Sequence, residues 1–178
     1  MKLKSCGIDL STSATGLVVL EEAAGKAPAL LLEREINCKK LTGATRNREI
    51  VTAIMETIHE AKPDKIVVEG YSLNLRKAAS VVPLVELGGL LRFMLVLDGF
   101  SWFDPRATEV KKFATGHGHG DKAQIMMHVL KLWGHESKSH NTADAYVLAC
   151  MGLAQQNRLK GATKEMLGIV GKLELRCN

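Results

Sequence analysis

The stretch LKSCGIDLSTSATGLVVLEE, residues 3–22, decides the fold. It consists of two apolar runs joined by a few small polar residues. This pattern predicts two strands connected by a hairpin bend at Ser11 to Thr15. One acid, Asp9, follows Ile8 where the first strand is expected to end. The stretch therefore predicts the first hairpin of a sheet, with a carboxylate at its edge.

The rest of the chain adds strands and helices in mixed order. ALLLEREI (29–36), DKIVVEG (64–70) and GFSWFDP (99–105) are apolar runs bounded by turn residues, which predicts a third, fourth and fifth strand. Helical spacing of apolar residues predicts helices over 46–62, 75–97, 106–115, 121–134 and 140–151. Asp121 stands at a predicted helix N-cap, with Gln124 at the capping-box position and Gly134 at the end. We expect an α/β fold with one five-stranded mixed sheet, whose three N-terminal strands are antiparallel and whose later strands are parallel, flanked by helices.

Composition indicates one domain with a polyanionic partner. The 178 residues are 46% apolar and 24% charged, which suits a single core, and the net charge of +5 favours a partner such as nucleic acid. Aromatic residues make up only 4%, which argues against a stacking platform for single strands. Without a signal peptide or membrane-spanning run, we expect no membrane partner and a cytoplasmic location. We expect four reduced cysteines, with Cys6 and Cys150 in the core.

Three acids stand among apolar neighbours: Asp9 after the first strand, Glu69 after the fourth, and Asp144 within HNTADAYVLACM, residues 140–151. If the fourth strand lies parallel to and beside the first, Asp9 and Glu69 meet at one edge of the sheet, and the last helix could bring Asp144 over them. Three carboxylates in one pocket repel one another, and a divalent cation relieves that repulsion. Oxygen ligands favour Mg²⁺ or Mn²⁺, and two such ions can promote phosphodiester cleavage.

Each acid also has a purely structural interpretation, and these alternatives stay open at the level of residues. Asp9 precedes Ser-Thr-Ser and could cap a turn. Glu69 could pair with a lysine, and Asp144 could form a hydrogen bond at the start of its helix. The coincidence of three such acids is what favours a metal site.

Four segments resemble one family. GIDLSTSATGLVVL resembles the opening strand pair of RuvC-type Holliday-junction resolvases, in the RNase H-like superfamily, and IVVEGYS resembles their second acidic strand. EVKKFATGHGHGDKAQI resembles their segment of form VK…xGxGxAxKxQV, and ADAYVLA resembles their final helix. The matches keep the family's order over residues 3 to about 156. We therefore expect a resolvase domain over 1–157 and a basic C-terminal extension over 158–178.

The resemblance implies an RNase H-like fold, a homodimer and Mg²⁺-dependent endonuclease activity on branched DNA, chiefly four-way junctions. Paired symmetric nicks would leave 5′-phosphate and 3′-hydroxyl ends. Mn²⁺ would substitute for Mg²⁺, and the site would lie in the cytoplasm of a bacterium or, for a phage-encoded form, of its host. Asp9, Glu69 and Asp144 fall on three of the family's four metal-binding catalytic positions.

The fourth position departs from the family pattern. The family usually has an Asp three residues before its last acid, and some members have a His; here Asn141 stands there, with His140 beside it. Both lie about one helical turn before Asp144, so either could bind the same ion. His140 could instead be a flanking residue without a role.

A basic loop and a segment after Glu69 are the expected DNA contacts. Lys122 matches the lysine that resolvases keep near the cleaved strand, which implies a catalytic role, and Lys111 matches another basic position. The other expected DNA contacts are Lys112, His117, His119, Tyr71, Leu73, Arg76 and Lys77. Tyr71 or Leu73 could enter the centre of the junction, although a Tyr buried away from DNA and solvated lysines are the alternatives. The helix carrying Leu84, Leu87, Leu91 and Met94 could belong to the core or to a dimer interface.

Two other functions are compatible with parts of the pattern. GIDLSTSATG also resembles the phosphate-binding hairpin of actin-like ATPases and sugar kinases, but such proteins need two of these domains. The missing fourth acid leaves a junction-binding module without catalysis as the second alternative. Mg²⁺-dependent cutting of a labelled four-way junction separates the three functions.

Overall fold

A computed structural model describes residues 2–71, 78–118 and 121–176, without the side chains of residues 78–80 and 122. The strands are β1 (Lys4–Asp9), β2 (Ala14–Glu21), β3 (Ala29–Asn37) and β4 (Lys65–Val68). The helices are α1 (Gly43–Ala61), α2 (Ala78–Leu97), α3 (Ala107–Thr115), α4 (Lys122–Trp133), α5 (His140–Gln155) and α6 (Lys164–Val170).

The four strands form one sheet in the order β3-β2-β1-β4. β1 and β2 are antiparallel, as are β2 and β3, whereas β4 lies parallel to β1. The predicted N-terminal hairpin and the parallel placement of the fourth strand are both confirmed. At the hairpin bend, the Ser11 N–H donates to Thr15 Oγ1 at 3.1 Å, and Thr15 Oγ1 donates back to the Ser11 carbonyl at 2.8 Å.

The prediction of a fifth strand over 99–105 is wrong in extent. Only Phe103 forms a bridge with β4, opposite Val67, so the sheet of the described residues has four strands. Phe103 donates its N–H to Ile66 and accepts one from Val68, both at 2.9 Å. The Gly70 N–H donates to the Pro105 carbonyl at 2.8 Å, but Pro105 has no N–H with which to extend the ladder.

Helices cover both faces of the sheet. Apolar side chains of α1 and α2, including Ile54 and Leu91, pack with Ile8 and Val68 on one face. On the other face α5 packs against β2 and β4, and α3, α4 and α6 pack around α5. Two buried layers therefore sandwich the sheet, and α5 is the helix that lies centrally on it.

Glycine lets α5 lie directly on the sheet backbone. A Cβ atom added to Gly7 in β1 would overlap the carbonyl oxygen of Ala145 and crowd the backbone nitrogen of Ala149. A Cβ added to Gly16 in β2 would overlap the backbone of Asn141 in the same way. The bare faces of these two glycines set the distance between the sheet and α5.

Sequence signals located most of the helix ends. Asp121 accepts the N–H of Gln124 at 2.8 Å, and Gly134 follows α4 with a left-handed φ of 70°, so both predicted ends of α4 are confirmed. Ser139 caps α5, and its side chain accepts the N–H of Thr142 at 3.2 Å. α1 begins at Gly43, earlier than its apolar spacing predicts.

The last described residues pair with the edge of the sheet beyond β4. Trp102 and Arg176 exchange backbone hydrogen bonds of 3.0 and 2.8 Å, and Arg176 also contacts Asp104 at 3.1 Å. Cys6 and Cys150 are buried free thiols, as predicted. No helix of the described ranges is both long and apolar enough to cross a bilayer.

We expect Gly7→Ala to lower the free energy of unfolding by about 1–3 kcal/mol or more, because the new methyl group meets the backbone of α5, which cannot yield as a side chain can. Urea unfolding followed by circular dichroism measures the change. Gly168→Ala in α6 is the matched control, since nothing lies within 4 Å of the position that its methyl group would take, and stability should stay equal or rise. Equal stability of Gly7→Ala and the wild type would contradict this account of the α5 packing.

Candidate active site

The carboxyl ends of β1 and β4 lie side by side and carry Asp9 and Glu69. Ile8 is paired with Val68 in the parallel register, and the Glu69 N–H donates to the Ile8 carbonyl at 3.1 Å. Asp9 is only 8% exposed, whereas Glu69 is half-buried. The two acids are far apart in the sequence but lie next to each other at the carboxyl ends of two neighbouring parallel strands, as predicted.

Both acids belong to the face of the sheet that α5 covers. Side chains alternate along a strand, so Asp9 shares the face of Gly7, and Glu69 continues the face of Val67. Gly7 lies against α5, and Val67 packs in the apolar cluster around that helix. The alternation thus directs both carboxylates to the side of α5.

α5 runs antiparallel to β1 and brings Asp144 to the same edge. Its first turn lies on Gly16, which is the direct partner of Asp9, whereas Gly152 near its other end lies against Ser5 and Val67. Asp144, half-buried, stands one turn after Asn141. The backbone thus places the three acids around the carboxyl end of β1.

The donor atoms at this edge suit a hard divalent cation. Carboxylate oxygens are the ligands that Mg²⁺ prefers, and a partly buried set of like charges favours a counter-ion. In the part of the chain that the structure describes, no three His, Cys, Asp or Glu side chains are already gathered as a finished metal site. The edge therefore supplies chemical groups of the kind that a hard divalent cation binds.

The residue at the fourth expected ligand position, Asn141, is hydrogen-bonded to a side chain of β3. Asn141 is half-buried, and its Nδ2 donates to Glu35 Oε2 at 3.2 Å. Ser139 Oγ donates to the same carboxylate oxygen. His140 is exposed at the first residue of α5. Of the two candidates for the fourth ligand, Asn141 is the one enclosed between the sheet and the helix.

A second acid of β3, Glu33, holds the loop before α5. Its side chain is only 2% exposed. Glu33 Oε1 accepts the N–H of Lys138 at 2.9 Å, and Glu33 Oε2 lies 3.5 Å from His135 Nε2. Burial alone would raise the pKa of Glu33, but hydrogen bonds from Thr142 and from the Lys138 N–H, together with the charges of His135 and Lys138, lower it. Glu33 is therefore ionised and anchors this loop at neutral pH.

Sequence reasoning missed both Glu33 and Glu35. The available signal was their spacing, because acids two residues apart in a strand point to the same face. What the spacing does not reveal is that α5 begins over that face. The contact of Asn141 with Glu35 depends on the tertiary structure and has no local sequence signal.

The predicted basic contacts lie on α3 and the following loop. Lys111 is half-buried, and Lys112 is exposed and forms an ion pair of 3.2 Å with Glu165. His117 is exposed just after α3, where its N–H donates to Thr115 Oγ1 at 3.2 Å. Lys122 is the first residue of α4, but its side chain and the whole of His119 lie outside the described residues.

Tyr71 lies against α2. Its ring sits over Gly88, where a Cβ atom would crowd the hydroxyl oxygen at 2.5 Å, and the Arg92 guanidinium stacks 4.5 Å from the ring centroid. Arg92 also donates to the backbone carbonyl of Glu69 at 3.4 Å. Leu73, Arg76 and Lys77 lie outside the described residues.

We expect Glu33→Gln to destabilise the protein by about 1–3 kcal/mol at neutral pH, because the charge-assisted hydrogen bonds to the loop before α5 are weakened. The folded-state pKa of Glu33 is lowered, so its contribution is fully present above the ordinary pKa and is lost as the pH falls through the folded-state value. The gap between wild type and variant should therefore close in acid. Urea unfolding at a series of pH values measures it, with exposed Glu136→Gln as the control that changes little; a gap independent of pH would contradict the assignment.

Comparison with known proteins identifies the family. The model of the family described as Crossover junction endodeoxyribonuclease RuvC matches residues 5–151. A protein of that name from Carboxydothermus hydrogenoformans is 29% identical over 163 residues, which cover 88% of this chain and 99% of that protein. One from Syntrophomonas wolfei is 25% identical over 149 residues, which cover 83% of this chain and 86% of that protein.

A solved structure shows the same fold. RuvC of T. thermophilus, solved in complex with a Holliday junction substrate, superposes with a TM-score of 0.68 at 22% identity, covering 89% of this chain and 98% of that one. The expected RNase H-like architecture is thereby confirmed. Because the family model spans most of the sequence, the chain belongs to the RuvC family of crossover junction endodeoxyribonucleases.

Proposed function

We propose that this protein is an endonuclease that resolves four-way DNA junctions by paired symmetric nicks, leaving 5′-phosphate and 3′-hydroxyl ends. The observation that carries the proposal is the convergence of Asp9, Glu69 and Asp144 at the carboxyl end of β1 in a member of the RuvC family. Relatives over nearly the whole chain carry the name crossover junction endodeoxyribonuclease. The substrate is the branched DNA that the solved T. thermophilus relative holds. A bacterial chromosome or phage genome lies in the cytoplasm, which is where we place the reaction.

The RuvC family consists of metal-dependent nucleases. We assign Mg²⁺, with Mn²⁺ as a substitute, to Asp9, Glu69 and Asp144, and the fourth position to Asn141 in preference to His140. Such ions polarise phosphoryl oxygens and lower the pKa of water. The chain's own part is to hold these oxygens in place, since β1 and β4 are hydrogen-bonded to each other and α5 is seated on the sheet backbone.

The DNA-binding surface we propose extends from this edge along α3 and the start of α4. Lys111, Lys112, Lys122, His117 and His119 supply cations or hydrogen-bond donors for phosphates. The ion pair of Lys112 with Glu165 is exposed on both sides, so it is weak and can be exchanged for a phosphate. Beyond Glu69, we assign the remaining DNA contacts to Tyr71, Leu73, Arg76 and Lys77. We assign residues 1–157 to the nuclease domain and residues 158–178 to a basic extension, whose helix α6 packs against α5.

Two copies of the chain associate through the outer face of α2. Leu87 and Leu91 are fully buried in the core, but Phe93 and Leu97 are 58% and 60% exposed on the opposite side of the helix. Together with Val82 and Leu90 they form an exposed apolar stripe, which we call the α2 outer face. Apolar stripes of this kind mark protein interfaces, and a two-fold dimer would supply the two sites that paired nicks require.

We expect Asp9→Asn and Asp144→Asn to bind a labelled four-way junction normally and to cut it more than about 100-fold more slowly, because each removes a proposed metal ligand. Gel shift without metal measures binding, and mapping of products with Mg²⁺ or Mn²⁺ measures cutting. Asp64→Asn, at the opposite end of β4, is the matched control and should cut normally.

Normal cutting by either variant would contradict the metal assignment. A wild-type protein that binds junctions tightly but yields no metal-dependent product would establish a junction-binding module instead. ATP hydrolysis in place of cleavage would favour the kinase-like alternative.

We expect Phe93→Glu to raise the dimer dissociation constant by about 100-fold or more, because it places two charges against each other in an apolar interface. Sedimentation velocity measures the change, and paired cuts should give way to single, uncoupled nicks. Leu130→Glu, on the exposed side of α4, is the control that stays dimeric. An unchanged dimer of Phe93→Glu would place the interface elsewhere.

A further inference from the structure

We propose that Glu35 is a positioning residue that fixes the amide of Asn141 and thereby turns its oxygen toward the cation site. This inference deepens the proposed function and rests on it. Glu35 lies on β3, remote in sequence from all three acids, and acts through the amide rather than on the metal or the DNA.

One row of residues across the sheet provides the geometry. Asp9 in β1 is the direct partner of Gly16 in β2, and Gly16 is the direct partner of Glu35 in β3. Direct partners in antiparallel strands project to the same face, so Asp9 and Glu35 flank the bare position of Gly16. The first turn of α5, with the Asn141 backbone on Gly16, occupies the space between them.

The hydrogen bond from Asn141 to Glu35 determines which way the amide points. An ionised carboxylate only accepts, and Asn can present either an NH₂ or an oxygen. The bond of 3.2 Å from Nδ2 to Glu35 Oε2 therefore selects one orientation, since a flipped amide would set oxygen against oxygen. Only the amide oxygen can ligate a cation, so the orientation with Nδ2 on Glu35 leaves Oδ1 for the metal.

The same carboxylate is itself held in place. Ser139 Oγ, the N-cap of α5, donates to Glu35 Oε2 while accepting the Thr142 N–H at 3.2 Å. The N-terminus of α5 also favours a nearby negative charge. Although Glu35 is exposed, its carboxylate is bonded to two side chains at the start of α5 without a metal.

The pairing also explains which residue fits at position 141. An Asp there would bring a second carboxylate against Glu35, and the two charges would repel. A neutral amide beside Glu35 removes the repulsion and keeps an oxygen ligand. Glu35 and Asn141 therefore form a matched pair, and their substitutions should depend on each other.

A double-mutant cycle tests the pair with Glu35→Gln, Asn141→Asp and the combined variant. Mn²⁺ binding followed by electron paramagnetic resonance is the main readout, because it does not depend on cleavage. Glu35→Gln alone should weaken Mn²⁺ binding about 10-fold, since Gln can bond either end of the Asn141 amide. In the Asn141→Asp background the same change should weaken Mn²⁺ binding much less, because an Asp presents an oxygen in either orientation and has no amide to position.

A second readout uses the metal-free protein. The side-chain NH₂ resonances of Asn141 should shift and broaden in Glu35→Gln, as the amide loses its single partner. Glu33→Gln is the matched control: it removes the neighbouring acid of β3, which bonds Lys138 and not Asn141, and should lower stability while leaving Mn²⁺ affinity within about 2-fold.

An equal effect of Glu35→Gln in both backgrounds would overturn the inference, since Glu35 would then act by charge alone. Unchanged Mn²⁺ affinity in the single variant would overturn it as well. If the wild-type protein binds Mn²⁺ and cuts junctions but the double-mutant cycle shows no coupling, only the role of Glu35 is rejected. A wild-type protein that does neither rejects the proposed function itself.

Discussion

The direct seating of α5 on β1 and β2 is the constraint on which the rest of the structure depends. Gly7 and Gly16 offer no side chain, so the helix backbone at Ala145 and Asn141 comes closer than any other residue type would permit. Close packing of this kind transmits small displacements, because protein interiors have few voids to absorb them. The position of Asp144 relative to Asp9 therefore depends on the absence of a side chain at Gly7 and Gly16.

This seating also makes a concentration of acids tolerable. Asp9, Glu69, Asp144, Glu33 and Glu35 all belong to the face that α5 covers, and negative charges placed on one face repel one another. The start of α5 offsets part of that cost, because its N-terminus carries a partial positive charge and its cap residue donates to Glu35. The basic residues of the loop before α5 contribute as well, through Lys138 and His135 near Glu33.

Much of this arrangement could be predicted from local sequence, and the remainder depends on how distant elements meet. The N-terminal hairpin, β4 and both ends of α4 follow from turn residues, branched apolar runs and a capping box, all of which act within a few residues. The composition of the segment around Phe103 predicts a strand, yet a single bridge to β4 forms, because Pro105 has no N–H with which to continue the ladder. Apolar spacing in α2 covers so much of the helix that it could not separate Leu91, in the core, from Phe93, in solvent. Glu35 gave no local sign of its role, since its partners Ser139 and Asn141 are supplied by a different element.

The contacts of Arg92 have a consequence for communication between two copies of the chain. Arg92 lies next to Phe93 on α2, stacks on Tyr71 and reaches the carbonyl oxygen of Glu69. A shift of α2 would therefore move this guanidinium and with it a hydrogen bond to the backbone of Glu69. If two copies meet through the α2 outer face, as we propose, a single side chain spans the distance from that interface to the backbone of Glu69.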